Sequence, residues 1–305
     1  LGIRREMNIQ TKPYEWMSKP TPQTEWIRKQ GLMLWLAFFF LELGAGTFIV
    51  GAAFDSLPAM LAGWLICAIG GGGFHMLYLG HPLRFWRMLF SSGWKTSWIS
   101  RGLYLTSIFL LLGLIYMVLA QWAAPSTGLL IAASVFAFGA VIYVGFVMSY
   151  ISAIPLWNTA LLPVLYAVLG IWGGLGITLM TLLGTGTTMA VASVEMWSRI
   201  FLIAFIFIVF IYLFAIRYQV AAAPNSAGKT SVREIVTGKW APLFWVMVVL
   251  LAMALPLGVA LSSWIGGLAI PVVILYISII FELLGDLALR YTILRNGLHI
   301  PILPL

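Results

Sequence analysis

Long apolar runs recur along this chain with few charges inside them, and they constrain its fold more than any other feature. A helix crossing a bilayer needs about 20 mostly apolar residues. Eight stretches qualify: Gly31–Phe54, Leu57–Gly80, Gly102–Trp122, Gly128–Ile154, Thr159–Leu183, Trp197–Tyr218, Pro242–Leu261 and Ile265–Leu289. A soluble domain carries about 25% charged residues. Here 9% of the 305 residues are charged and 62% are hydrophobic, too few charges to cover a surface in water. The runs are unbroken, whereas barrel strands alternate over about 10 residues. Backbone groups in lipid need internal partners, and a helix supplies them. The expected fold is therefore all-α: a polytopic membrane protein of eight transmembrane helices, arranged as two four-helix bundles. Residues 1–30 read as an N-terminal arm, 31–290 as the membrane domain and 291–305 as a tail.

The formal charge of +8 has a topological explanation that makes nucleic-acid binding unnecessary. With eight spans, the termini and the 2–3, 4–5 and 6–7 loops share one face. That face holds Arg4, Arg5, Lys12, Lys19, Arg28, Lys29, Arg84, Arg87, Lys95, Arg101, Arg217, Lys229, Arg233, Lys239, Arg290 and Arg295, and the other holds Arg199. The positive-inside bias then predicts a multi-pass protein of the cytoplasmic membrane with both termini in the cytoplasm. The first 30 residues lack a short apolar run with a small-residue cleavage site, so they read as an irregular cytoplasmic arm and not as a secretory signal. The 6–7 connection, Gln219–Lys239, contains Ala-Pro-Asn-Ser-Ala-Gly-Lys and reads as a mobile linker. Gly184-Thr-Gly-Thr-Thr lacks the Gly-Lys-Ser/Thr ending of a phosphate loop.

Cysteine and histidine counts bound the chemistry. One cysteine, Cys67, excludes a disulfide framework and a cysteine-ligated iron–sulfur or zinc site within this chain. It reads as a small buried hydrophobe. Of three histidines, His75, His81 and His299, two fall in loops, which leaves no pair of intramembrane ligands for haem. No metal and no redox centre of its own is expected in the chain.

Candidate functional residues gather around Tyr78-Leu-Gly-His-Pro-Leu-Arg-Phe-Trp-Arg-Met-Leu89, a charged hairpin between spans 2 and 3. Its apolar residues alternate with arginines, which suits the membrane interface. His75 and Tyr78 are three apart near the end of span 2, hence on one helix face. Gly70-Gly-Gly-Gly73 just upstream allows either close helix packing or the approach of a flat ring. Imidazole, phenol and guanidinium groups beside such a helix suit a lipid-soluble, proton-coupled ligand such as a quinone. The candidate quinone set is His75, Tyr78, Glu42, Trp86, Arg84 and Asn158. Arg84, Arg87, Lys95 and Arg101 are candidates for docking a partner or bound membrane lipid.

Ionisable groups at membrane depth form a second set. Glu42 lies about 16 Å along span 1 at roughly 1.5 Å per residue, near the midplane. It reads as a proton-relay group or ligand contact, or else as an interhelical hydrogen bond made by a protonated carboxyl. Glu282, Asp286 and Arg290 repeat every four residues along span 8, with Asp286–Arg290 expected as an ion pair. Glu195 and Arg199 open span 6 and read as a surface salt bridge or the mouth of a proton path. The candidate proton path is Glu42, Glu282, Asp286, Glu195 and Arg199. Between spans 4 and 5, Pro155 and Pro163 bracket Trp157 and Asn158, which reads as a helix-breaking turn with an interfacial tryptophan.

Three stretches together resemble the NrfD/PsrC family, which broadly includes membrane subunits of dimethyl sulfoxide reductase-like complexes. They are Tyr78-Leu-Gly-His-Pro-Leu-Arg-Phe-Trp-Arg with Thr96-Ser-Trp-Ile-Ser-Arg101; Ile154-Pro-Leu-Trp-Asn-Thr-Ala-Leu-Leu-Pro163; and Leu284-Gly-Asp-Leu-Ala-Leu-Arg-Tyr-Thr-Ile-Leu-Arg295. The resemblance implies an eight-helix, haem-free subunit of a molybdenum- or tungsten-pterin oxidoreductase. It implies two partners, a four-cluster ferredoxin-like iron–sulfur subunit and a molybdopterin or tungstopterin catalytic subunit that holds the substrate site. It also implies electron exchange with menaquinone or ubiquinone. In the dimethyl sulfoxide reductase branch a histidine of the leucine-glycine hairpin is tied to quinone; Tyr78 takes that position here, and His75 lies one turn earlier. Many family complexes keep their catalytic subunits outside the cytoplasm, whereas the basic hairpin here predicts cytoplasmic ones. The rival expectation is a transporter or proton-translocating module without electron transfer.

Overall fold

A computed structural model of the chain describes residues 15–90, 92–122, 126–187, 190–219 and 226–302. Arg4, Arg5, Lys12 and the Ala-Pro-Asn of the 6–7 loop lie outside these residues.

Among the described residues, eight helices are long and apolar enough to cross a membrane: span 1 Gly31–Ala53, span 2 Leu57–Tyr78, span 3 Trp98–Leu119, span 4 Thr127–Ser149, span 5 Leu161–Gly184, span 6 Val191–Arg217, span 7 Ala241–Trp264 and span 8 Val272–Arg295. The chain is an all-α, multi-pass membrane protein. Where a boundary differs from the apolar run, local chemistry sets it. Span 3 starts before Arg101 because Ser97 caps it, accepting from the Ser100 amide at 3.5 Å. The Arg101 guanidinium donates to the Lys95 carbonyl at 2.7 Å and lies over the Trp98 ring, so its charge sits at the helix start without entering the apolar core. Span 8 begins only after Pro271, and it runs on through Arg290 because that side chain is buried and paired.

Spans 1 and 5 are the central pair. Both are apolar around their whole circumference, as helices enclosed on all sides are. They meet at glycines: a Cβ on Gly46 would overlap the Gly170 carbonyl, and one on Gly174 would come within 2.6 Å of the Gly46 oxygen. Such contacts replace the hydrophobic effect as the force between helices in lipid. Spans 1–4 form one four-helix group and spans 5–8 a second, fused along spans 1 and 5. Tryptophan N–H groups tie neighbours together: Trp64 to the Leu110 carbonyl at 2.8 Å, and Trp35 to the Leu287 carbonyl at 3.0 Å.

Two spans contain π-helical stretches, Ile66–Gly72 in span 2 and Phe244–Ala254 in span 7. Pro256, two residues after the end of the second, cannot donate a backbone hydrogen bond. The first ends three residues before His75 and sets the rotation of that side chain.

Among the described residues, the arm and the tail pair with each other. Thr21–Pro22 pairs antiparallel with Leu298–His299, and Gln23 donates through Nε2 to the Leu294 carbonyl at 2.6 Å. This clasp covers Trp157, which corrects the expectation of an interfacial anchor. The indole is fully buried, donates to the Ile293 carbonyl at 2.9 Å and packs 5.3 Å from Trp26. Nor is the described part of the 6–7 loop a linker. Ala227–Val236 is an amphipathic helix, capped by Ser226 and buried along Ala227, Ser231, Val232 and Ile235.

Candidate functional site

A cavity of about 290 Å³ opens among spans 1 to 4 at the basic end of the protein. His75, Tyr78 and Tyr143 bring its ionisable groups, Phe38 walls it from span 1, and Phe85 and Met88 of the hairpin close its outer edge. Most of the lining is apolar, as in ligand pockets generally.

The His75 ring is held at one nitrogen. Nδ1 lies 2.8 Å from the Gly71 carbonyl, and a carbonyl only accepts, so Nδ1 carries a proton. In the neutral ring Nε2 is then the lone-pair nitrogen. It faces the cavity 3.5 Å from the Tyr143 hydroxyl, and the Phe38 ring packs 5.8 Å away. Tyr143 can come this close because Gly102 on span 3 has no side chain; a Cβ there would run into the phenol ring. Thr106, on the same span, lines the cavity too, and its buried hydroxyl oxygen has no hydrogen-bond partner. A buried polar atom without a partner costs free energy unless something else satisfies it. A ligand carbonyl or hydroxyl in the cavity would do so.

The glycine run divides between its two expected uses. A Cβ on Gly70 or Gly71 would press to 2.8 Å against Phe40 and Leu41 of span 1, which is close helix packing. Gly72 lines the cavity instead and leaves open space for a flat ring.

The structure brings His75 and Tyr78 of the sequence set to the cavity and leaves the rest elsewhere. Arg84 and Trp86 are exposed on the hairpin, with Arg87 over the Trp86 ring; their neighbours Phe85 and Met88 reach the cavity. Asn158 is exposed on the 4–5 turn and donates to the Ser149 carbonyl. Arg84, Arg87 and Lys95 are exposed around the hairpin, Arg101 half so. Tyr143, Thr106 and Phe38 escaped the sequence reading. A tyrosine and a threonine well inside apolar spans were the available signal.

Glu42 lies outside the cavity, one turn along span 1 from Phe38. It is fully buried and bonded to Arg290, whose Nε also donates to Asp286 Oδ1 at 2.6 Å. The contact is interhelical, joining span 1 to span 8, with Arg290 as the partner. The guanidinium lies 4.7 Å over Tyr166, and Glu42 Oε1 has no partner. The pairing expected between Asp286 and Arg290 is present, and span 1 adds a second acid to it. Nearer the opposite face, Glu282 shares a cavity of about 40 Å³ with Glu195, Ser198 and Arg199. That is space for a small number of waters. Arg199 pairs with Glu195, donates to Ser263 and lies over Trp264, a partly buried cluster and not a free surface bridge.

Among the described residues, no group of three or more His, Cys, Asp and Glu side chains comes together as a metal site. The sequence matches the family described as Polysulphide reductase, NrfD over residues 29–301, nearly the whole chain. No curated protein matches it in a sequence comparison.

Proposed function

We propose, because this chain belongs to the NrfD polysulphide reductase family, that it is the quinone-reactive membrane anchor of a molybdenum- or tungsten-pterin oxidoreductase. Electrons pass between the membrane quinone pool and an iron–sulfur subunit docked on the basic face, by way of the hairpin arginines. The observation that carries this reading is the Nε2 of His75 beside Tyr143 and the unpartnered Thr106 hydroxyl, in an apolar cavity at that face.

The residues fit a quinone ring. The cavity is near the lower end of the roughly 300–1,000 Å³ usual for ligand pockets, which suits a ring with its tail left in lipid. Tyr143 and Thr106 can donate to ring oxygens. Oxidation of a quinol releases two electrons and two protons, and reduction takes up the same. His75 Nε2 accepts a quinol hydroxyl proton in the first direction and returns it in the second, since Nδ1 is committed to Gly71. Tyr78, one turn nearer the surface and half-buried, links the cavity to water at the basic face. We assign Glu195, Arg199 and Glu282 to a wetted approach from the opposite face, with Asp286, Arg290 and Glu42 as its closed inner end. Spans 2 and 7 run continuously through their π-helical stretches, unlike the broken helices of transporters, which favours the anchor over the transporter. Orientation in the cytoplasmic membrane with the basic face inward belongs to the same proposal.

The test is quinol turnover by the purified complex, with an artificial electron acceptor reporting the partner subunits separately. His75→Gln is expected to lower quinol turnover by about 10²-fold, the low end of general-base effects, with acceptor activity of the partners unchanged. Normal quinol turnover in that variant would refute the site.

A further inference from the structure

A second concavity, larger than the His75 cavity, lies away from the proposed quinone site. It is a groove of about 580 Å³ between spans 6 and 7 at the basic face. The two spans separate there. The α-helical half of span 7, Leu255–Trp264, packs on span 6, whereas the π-helical half, Phe244–Ala254, packs on span 8. The gap left between them is roofed by the helix Ala227–Val236. Trp245 Nε1 donates to the Val236 carbonyl at 2.8 Å, so the roof is fastened to span 7.

The groove is graded along its length. Within the membrane its walls are apolar and open: Phe210, Phe214 and Trp245 are exposed, Phe214 to 64%. At the basic end stand Arg217, in the last turn of span 6, and Arg233, on the roof helix. Among the described residues neither pairs with a carboxylate. Arg217 lies beside the Tyr218 ring, and Glu234, next to Arg233, turns to the Lys239 amide instead.

We propose that this groove binds one anionic phospholipid of the basic-face leaflet. Its phosphate sits between Arg217 and Arg233, and its acyl chains lie along Phe210, Phe214 and Trp245. Charge complementarity selects the headgroup, because guanidinium forks match phosphate oxygens. The apolar wall selects an amphiphile over a free anion. A tryptophan and a tyrosine at this level suit the headgroup boundary. The lipid fills a gap that the two spans leave open, and it joins the roof helix to span 6 through one phosphate. The proposal does not depend on the quinone reading, and no residue is shared between the two sites.

The test is native mass spectrometry of the full chain, delipidated in mild detergent and titrated with dioleoylphosphatidylglycerol or dioleoylphosphatidylcholine. One phosphatidylglycerol is expected to bind well ahead of phosphatidylcholine. Each arginine contributes about fivefold to that preference, from the value of one basic residue near an anionic surface. Arg233→Gln, an exposed change, is expected to remove about fivefold, and Arg217→Gln with Arg233→Gln most of the rest. Lys239→Gln, whose ammonium lies over Trp240 off the groove, is expected to change nothing. Equal binding of the two lipids overturns the proposal. So does a preference that survives both arginine changes, displacement by millimolar inorganic phosphate, or a partner's transmembrane helix crosslinking to Phe214→Cys in the intact complex.

Discussion

Replacing Arg290 tests how this membrane domain tolerates charge at its centre. The side chain is 1% exposed, and it answers two acids on different helices, Asp286 one turn away and Glu42 on span 1. Arg290→Met keeps much of the volume and removes the charge. Two buried carboxylates then face each other without a cation, and the contact with the Tyr166 ring is lost. Breaking a buried pair from one side costs about 3–5 kcal/mol, because the remaining charge is stranded. Removing all partners together is close to neutral, since burying the ions already cost desolvation energy. At roughly 2 °C per kcal/mol, the single variant should lower the thermal midpoint by about 6–10 °C. The triple variant Glu42→Leu, Asp286→Leu, Arg290→Met should recover most of it. The assay is thermal unfolding in mild detergent, followed by tryptophan fluorescence at one fixed scan rate because such unfolding is often irreversible. An unchanged midpoint for Arg290→Met, or a triple variant less stable than the single one, would refute the argument. The groups would then be solvated and not a dry ion cluster.

Two further outcomes follow from single contacts. Gly102→Ala should push the Tyr143 ring into the cavity and raise the KM for quinol in the purified complex more than it lowers kcat; an unaltered KM would remove Tyr143 from the site. Trp157→Phe keeps the ring but strands the Ile293 carbonyl, at a cost of about 1–3 kcal/mol, and should make the arm around Gln23 more sensitive to limited proteolysis.

The spans were legible because length and apolarity are properties of the chain in one dimension. The rotation of each span was not. Spans 1 and 4 are apolar on every side, so nothing in their patterning shows which face meets the cavity. His75 and Tyr78 could be paired from spacing alone, since one helix turn carries both. Tyr143 and Thr106 line the same cavity from other helices, and Tyr143 comes near His75 only through a missing side chain at Gly102. Trp157 was misread for a related reason: a tryptophan beside prolines at a helix end usually meets the interface, and only the folded arm buries it.

Glu42 and Arg290 show what a sequence can say about a buried charge and where it stops. An acid in the middle of an apolar run needs a partner, and few cations are available at that depth. Arg290 was already accounted for twice, by Asp286 four residues earlier and by the basic face whose charge it helped define. Its true position is at the crossing of the first and last spans, bonded to both acids. Taking it out of the surface count leaves the asymmetry intact, because the one cation assigned to the opposite face, Arg199, is itself engaged with Glu195. The cluster owes its place to packing between helices far apart in the chain.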